Sequence, residues 1–173
     1  DKYYLNIISI ISVYELLKKF HVKELTIKWP NDIMTENKKI SGILIENNVK
    51  GAKITHSIIG VGINVNQNKF RNLPNATSIF NQTGIENSLD NLANELLKIF
   101  KNNFQFFEKN FENLFTRYND LLFRKNINTT FIIDQNKYLS GEIVEVNKKG
   151  IVKIKKSNGE YEDFIENEIK MKI

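Results

Sequence analysis

With 173 residues, 41% of them apolar, the chain is long enough for one domain, or a medium domain with a small appendage, around a real core. The absence of Cys excludes disulfides and thiolate metal sites, and His21 and His56 are too far apart in sequence to form a metal motif. Net charge is +5, but the 25 basic and 20 acidic residues are interleaved without a long like-charged block, so a weak preference for anionic ligands follows and nucleic-acid binding does not.

The apolar stretch 3–17 contains Asn6, Ser9, Ser12 and Glu15, and it falls short of the ~20 apolar residues of a membrane span. Without a basic leader before it or a small-residue cleavage site after it, a cytoplasmic location is the default. Leu5, Ile7, Ile8, Ile10, Ile11, Val13, Leu16, Leu17 and Phe20 cover nearly every side of a helix over 4–20, the pattern of a helix enclosed by other layers. Opening on this helix at Asp1, without Met, the sequence reads as starting inside a domain.

Short β-type runs follow at 25–29, 39–47 and 54–65, separated by polar turns at 35–38 and 47–51. The connections are too short for a helical crossover, so the strands pair antiparallel as a meander in one sheet. Residues 67–87 are polar and read as irregular. Ser88 then caps a helical stripe of Leu89, Leu92, Leu96, Phe100, Phe104, Phe107, Phe111, Leu114, Tyr118 and Leu121. Its length, about nine turns against the usual three, predicts a break into two helices near Asn110.

Residues 124–129 sustain no apolar period and mark a boundary between domains over 1–124 and 125–173. Beyond it, short strands at 131–134, 138–146, 151–155, 161–165 and 169–173 alternate with turn signals at Asp134-Gln135-Asn136, Lys148-Lys149-Gly150 and Ser157-Asn158-Gly159. Five strands of this size predict a small barrel.

Candidate chemistry begins at Trp29-Pro30. Proline lacks an N–H donor and holds Trp29 extended, which stops sheet pairing at a defined point. Asn31 and Asp32 then sit at a strand end or tight turn, where a carboxamide can bond a heterocycle or phosphate and a carboxylate can bind Mg²⁺. An Asx-turn anchored by a buried Trp accounts for the same residues. Lys28 and Lys39 can meet at one end of the sheet across a hairpin over 29–39, either facing anions or simply solvated. Gly60 and Gly62, two apart, leave one face of a strand without side chains, and Gly42 does the same on the preceding strand. A flat ligand can lie there, or the strand can pack closely under the helix over 4–20. No third glycine opens a helix, so this is not a dinucleotide fingerprint.

Taken in order, KWPND at 28–32, KKISGILIE at 38–46, IIGVGINVN at 58–66 and NATS at 75–78 resemble the biotin protein ligase family. The resemblance implies an α+β fold: a mixed, mostly antiparallel sheet packed with helices, the class II synthetase-like biotin/lipoate ligase core, followed by a small SH3-like β-barrel. It implies an enzyme that activates biotin with ATP and Mg²⁺ to biotinyl-5′-AMP. Biotin then passes to a lysine of a biotin carboxyl carrier protein, or of the equivalent domain of a biotin-dependent carboxylase. A homodimer is compatible with it.

Position by position, Lys39 resembles the family's essential lysine at the biotin carboxylate and reacting phosphate. By the same resemblance Lys28 supports the phosphates, Asn31 and Asn64 contact the nucleotide with Asn64 near adenine, and Asp32 is a candidate Mg²⁺ ligand. Gly42, Leu44, Gly60 and Gly62 look like the floor and wall of a biotin pocket. The family's glycine- and arginine-rich loop and further pocket strands are not among these residues. Residues 1–173 alone are therefore expected to have little ligase activity, and appreciable biotin-dependent ATP–pyrophosphate exchange by them would overturn that. Lipoate protein ligases share an Asn-Asp and a Lys-Lys-x-Ser-Gly pattern, but Trp29-Pro30, the GVGINVN segment and the terminal small barrel favour biotin. A non-catalytic binding module is the other alternative, and the intact Lys39, Asn31 and Asp32 argue against it.

Overall fold

In the computed structural model, which describes residues 2–51, 53–134 and 137–173, the first helix, α1 (Lys2–Lys19), is the centre of the molecule. Ile7, Ile8, Ile10, Ile11, Val13, Leu16 and Leu17 are all buried, as their all-round distribution predicts. Ser9 and Ser12 share that interior without cost, because each hydroxyl donates back to a carbonyl of its own helix, of Leu5 and Ile8. No helix of the described residues is long and apolar enough to cross a membrane.

One side of α1 faces an antiparallel meander in the order β1-β2-β3-β4, formed by β1 (Leu25–Lys28), β2 (Asp32–Thr35), β3 (Lys38–Lys50) and β4 (Lys53–Ile63). Three of these strands match the β-type runs. β2 was not anticipated. Ile33 and Met34 are both buried, and the register shifts between them, so the strand shows no alternation of period two. The chain reverses into β2 over the Trp29-Pro30 bond, which is cis.

The opposite side of α1 is covered by α3 (Leu89–Gln105) and α4 (Phe107–Asp120), after a short helix α2 (Ile79–Thr83) inside the stretch read as irregular. Five residues are too few to display a helical period, and α2 depends on its caps: Ser78 accepts the Asn81 N–H, and Gly84 closes it in the left-handed region. Ser88 caps α3 as expected. The break falls at Phe106, four residues before Asn110, where the backbone leaves helical geometry although the apolar stripe runs on. Glu15 of α1 ties both helices down by accepting from Asn103 at 2.9 Å and from Arg117.

A second antiparallel sheet contains β5 (Thr129–Asp134), β6 (Lys137–Val146), β7 (Val152–Lys156), β8 (Tyr161–Phe164) and β9 (Lys170–Met171), in the order β8-β7-β6-β5-β9. The expected Asp134-Gln135-Asn136 turn lies partly outside the described residues. Five strands are present as predicted, but among the described residues no pairing joins β8 to β9, so the sheet is open where a small barrel was expected. β9 is only two residues long and bonds to β5 alone. Phe131, Ile143, Val146, Val152 and Ile154 are buried on its inner face and belong to the same apolar cluster as α1.

Candidate ligand cleft

Strands β1 and β2 deliver Lys28 and Asp32 to one end of the first sheet as a cross-strand pair. Between them, Asn31 is fastened to β3 twice: its carbonyl accepts the Ile43 N–H at 2.9 Å and its side-chain amide donates to the Ile43 carbonyl at 2.8 Å. The amide nitrogen of Asn31 is thus structural in this arrangement, which matches the turn-closing account of this residue. The Asp32 carboxylate lies between two cations. Lys39 Nζ stands 2.5 Å from Oδ1 and Lys28 Nζ 3.5 Å from Oδ2. Lys28 and Asp32 are each 16% exposed at the side chain, whereas Lys39 is 49% exposed and is the more open of the two cations.

Lys39 is held by its backbone. Its N–H donates to the Asn75 carbonyl at 2.7 Å and its carbonyl accepts the Thr77 N–H at 2.9 Å, so the NATS segment runs alongside β3 as a parallel bridge. Asn64 closes the same corner: its amide donates to the Thr77 carbonyl at 2.9 Å, and its backbone bonds Ile40 and Ile79. The sequence marked NATS without assigning it a task. Its task is to fix the backbone of Lys39 and the side chain of Asn64.

Next to this charged corner, Gly42 pairs with Gly62 and Leu44 with Gly60. A Cβ built on Gly60 or Gly62 would meet only the Leu44 and Gly42 carbonyl oxygens and Leu44 Cβ, at 3.7 to 4.0 Å. These glycines are therefore not pressed under α1, and the alternative of close packing against that helix fails. Gly42 joins the two parts, since a Cβ there would stand 3.0 Å from Lys39 Nζ and 3.2 Å from Asp32 Oδ1. Leu44 is 62% exposed beside this floor.

Lys28, Asn31, Asp32, Lys39, Gly42, Leu44, Gly60, Gly62 and Asn64 all line one cleft of about 1190 Å³. Sequence reasoning missed part of the lining, which also includes Leu73, Pro74, Lys170, Met171 and Ile173. Nothing local marks the last three, because only the fold brings this end of the sequence to the cleft. Asp32 is the one carboxylate among the described lining residues, and no group of three or more His, Cys, Asp or Glu suited to a metal occurs among the described residues.

Residues 2–64 match the model of the biotin/lipoate A/B protein ligase family. Over 63 residues the chain is 38% identical to the bifunctional ligase/repressor BirA of Bacillus subtilis, covering 36% of this chain and 19% of that protein. Over 61 residues it is 34% identical to BirA of Escherichia coli, covering 35% of this chain and 19% of that protein. The matched segment thus spans about a fifth of these curated relatives. The fold agrees over a far longer stretch: the biotin protein ligase of Aquifex aeolicus in complex with biotin and ATP superposes with a TM-score of 0.78 at 25% identity, covering 98% of this chain and 71% of that one. In sequence over residues 2–64, and in fold over nearly its whole length, the chain is thus similar to biotin protein ligases.

Proposed function

We propose that the cleft binds biotin on its glycine floor and ATP toward the Lys28–Asp32 corner, and that it serves the adenylation of biotin, with little turnover by residues 1–173 alone. The observation that carries this is the half-exposed Lys39 ammonium at the junction of the open glycine face and the Asp32 corner, in a chain whose fold follows a ligase solved with both substrates. A drug-sized ligand fills a pocket of roughly 300–1,000 Å³. At about 1190 Å³ this cleft has room for two ligands in contact.

In the first step a biotin carboxylate oxygen attacks the α-phosphorus of ATP, the bond to the β-phosphate breaks, and pyrophosphate leaves with the electron pair. Two anions must approach each other, so the step needs cations at the point of contact. Lys39 sits where it can leave Asp32 for the biotin carboxylate and the α-phosphate oxygens, while Lys28 faces the phosphates. Asn64, fixed by Thr77, is assigned to the adenine side, and the carbonyl oxygen of the Asn31 amide to the nucleotide. Gly42, Gly60, Gly62 and Leu44 form the biotin contact surface. Mg²⁺ neutralises phosphate charge when bound. With a single carboxylate lining the cleft, these residues suit an ion held mostly by phosphate oxygens and water, with Asp32 as its protein ligand.

In the second step the neutral amine of a carrier-protein lysine attacks the acyl carbon of biotinyl-5′-AMP, an amide forms, and AMP departs. Biotin carboxyl carrier protein, or its equivalent domain in a carboxylase, is the proposed acceptor. We assign adenylation to residues 1–124 and treat residues 125–173 as an SH3-like accessory unit. The matching family model also includes lipoate ligases, so lipoate is the competing acid. Calorimetric titration with each acid in the presence of MgATP tests the choice. Biotin is expected to bind at least about tenfold more tightly. A reversed preference would move the reading to lipoate, and binding of neither acid would contradict it.

A further inference from the structure

Trp29 stands between the cleft residues Lys28 and Asn31, but its indole is gripped by the C-terminal sheet. The Nε1–H donates to the Gly150 carbonyl at 3.0 Å, in the turn joining β6 to β7. A void of only about 10 Å³ remains where the ring meets Phe131, Ile143, Val152, Ile169 and Met171. Trp29 is therefore a plug from the KWPND segment set into the core of β5–β9.

The turn that receives it is tied down by side-chain hydrogen bonds. Asn147 Oδ1 accepts the N–H groups of Lys149 and Ile151 at 2.9 and 3.1 Å. Asn119, at the end of α4, donates to the Val146 carbonyl at 3.0 Å and accepts its N–H at 2.7 Å. Gly150 has φ +84°, a conformation that L side chains rarely adopt, and a Cβ there would lie 2.3 Å from the Tyr3 ring. Tyr3 cannot easily yield, because its hydroxyl is 2.8 Å from that of Tyr118, with the two rings packed edge to face. Burial raises the pKa of both phenols.

Resting on the adenylation reading of the cleft, we infer that the β6–β7 turn is a positioning element for its nucleotide end. Gly150, acting through Trp29, sets where Lys28, Asn31 and Asp32 stand, while the backbone of Lys39 is held separately by Asn75 and Thr77. The glycine floor has its own ladder between β3 and β4, to which Trp29 does not belong. Disturbing the turn should therefore weaken ATP binding and spare biotin, whereas a C-terminal sheet that only stabilises the fold would show no such selectivity.

Trp29 is the only tryptophan, so its fluorescence reports the joint directly. The test compares the unaltered protein with Gly150→Ala, and with Asn147→Ala, which loosens the turn without a clash and serves if the first variant does not fold. Below the unfolding temperature, the emission maximum is expected to move to longer wavelength. The calorimetric Kd for MgATP should rise about tenfold in Gly150→Ala and about threefold in Asn147→Ala, with the Kd for biotin within about twofold of the unaltered value. Folded variants that bind both ligands as the unaltered protein does, or lose both equally, would overturn the inference. An unaltered protein that binds neither ligand would instead overturn the adenylation reading, and the positioning role with it.

Discussion

A methyl group added at Gly60 or Gly62 of the first sheet would meet nothing nearer than a carbonyl oxygen at 3.7 or 3.8 Å, but at Gly141 or Gly150 of the second it would stand 2.7 Å from Ile154 and Lys155, or 2.3 Å from Tyr3. The same residue type serves opposite ends in the two regions. In β6 and the turn after it, glycine is demanded by packing, because another part of the protein occupies the space of a side chain. In β4 no described protein atom claims that space, so packing does not account for glycine there and the proposed ligand surface does. The two regions are also unequal in what they leave exposed: Leu44 and Ile58 lie open on β3 and β4, whereas Phe131, Ile143, Val152 and Ile154 are closed over one another.

This contrast is broken or sharpened most strongly by exchanging the glycines. Gly150→Val combines a positive φ with a collision against a fixed aromatic ring and is expected to cost about 3 kcal/mol or more, read as a shift of the urea midpoint. Gly62→Ala should leave stability within about 0.5 kcal/mol while weakening biotin about tenfold in a titration. Equal destabilisation at both positions would show that the first sheet, too, needs its glycines for packing.

A smaller effect concerns the joint between the regions. Burial lifts the phenol pKa of Tyr3 and Tyr118 above their ordinary value of 10.0 in the folded protein, so the unfolded chain releases these protons first as pH rises. Their contribution is therefore complete below about pH 10 and is lost progressively above it. Urea midpoints measured between about pH 9 and 11 should fall with pH, and Tyr118→Phe should flatten that fall. An unchanged slope in the variant would show that the Tyr3–Tyr118 pair does not govern alkaline stability.

Much of the candidate site was legible because its residues are local in sequence. Lys28, Asn31, Asp32, Lys39 and Asn64 lie within thirty-seven positions on strands joined by short turns, so reading the strands placed them at one sheet end. The all-apolar α1 announced its burial in the same way. What stayed hidden lacks a local signal. β2 shows no alternation because its register shifts, α2 is held by caps rather than by a period, and the helix break at Phe106 sits inside an unbroken apolar stripe. The sequence showed the Lys148-Lys149-Gly150 turn, but only the fold shows that it receives Trp29, and only the fold brings Lys170, Met171 and Ile173 to the cleft.

The central claim is that one cleft holds a biotin-and-adenylate pair across Lys39. A non-hydrolysable mimic of biotinyl-5′-AMP spans both halves at once, and its titration into the unaltered protein and into Lys39→Ala tests the claim most directly. Tight binding by the unaltered protein, weakened at least about tenfold by the substitution with little change in thermal midpoint, is the predicted result. Equal affinity in the two proteins, or none in either, would contradict it.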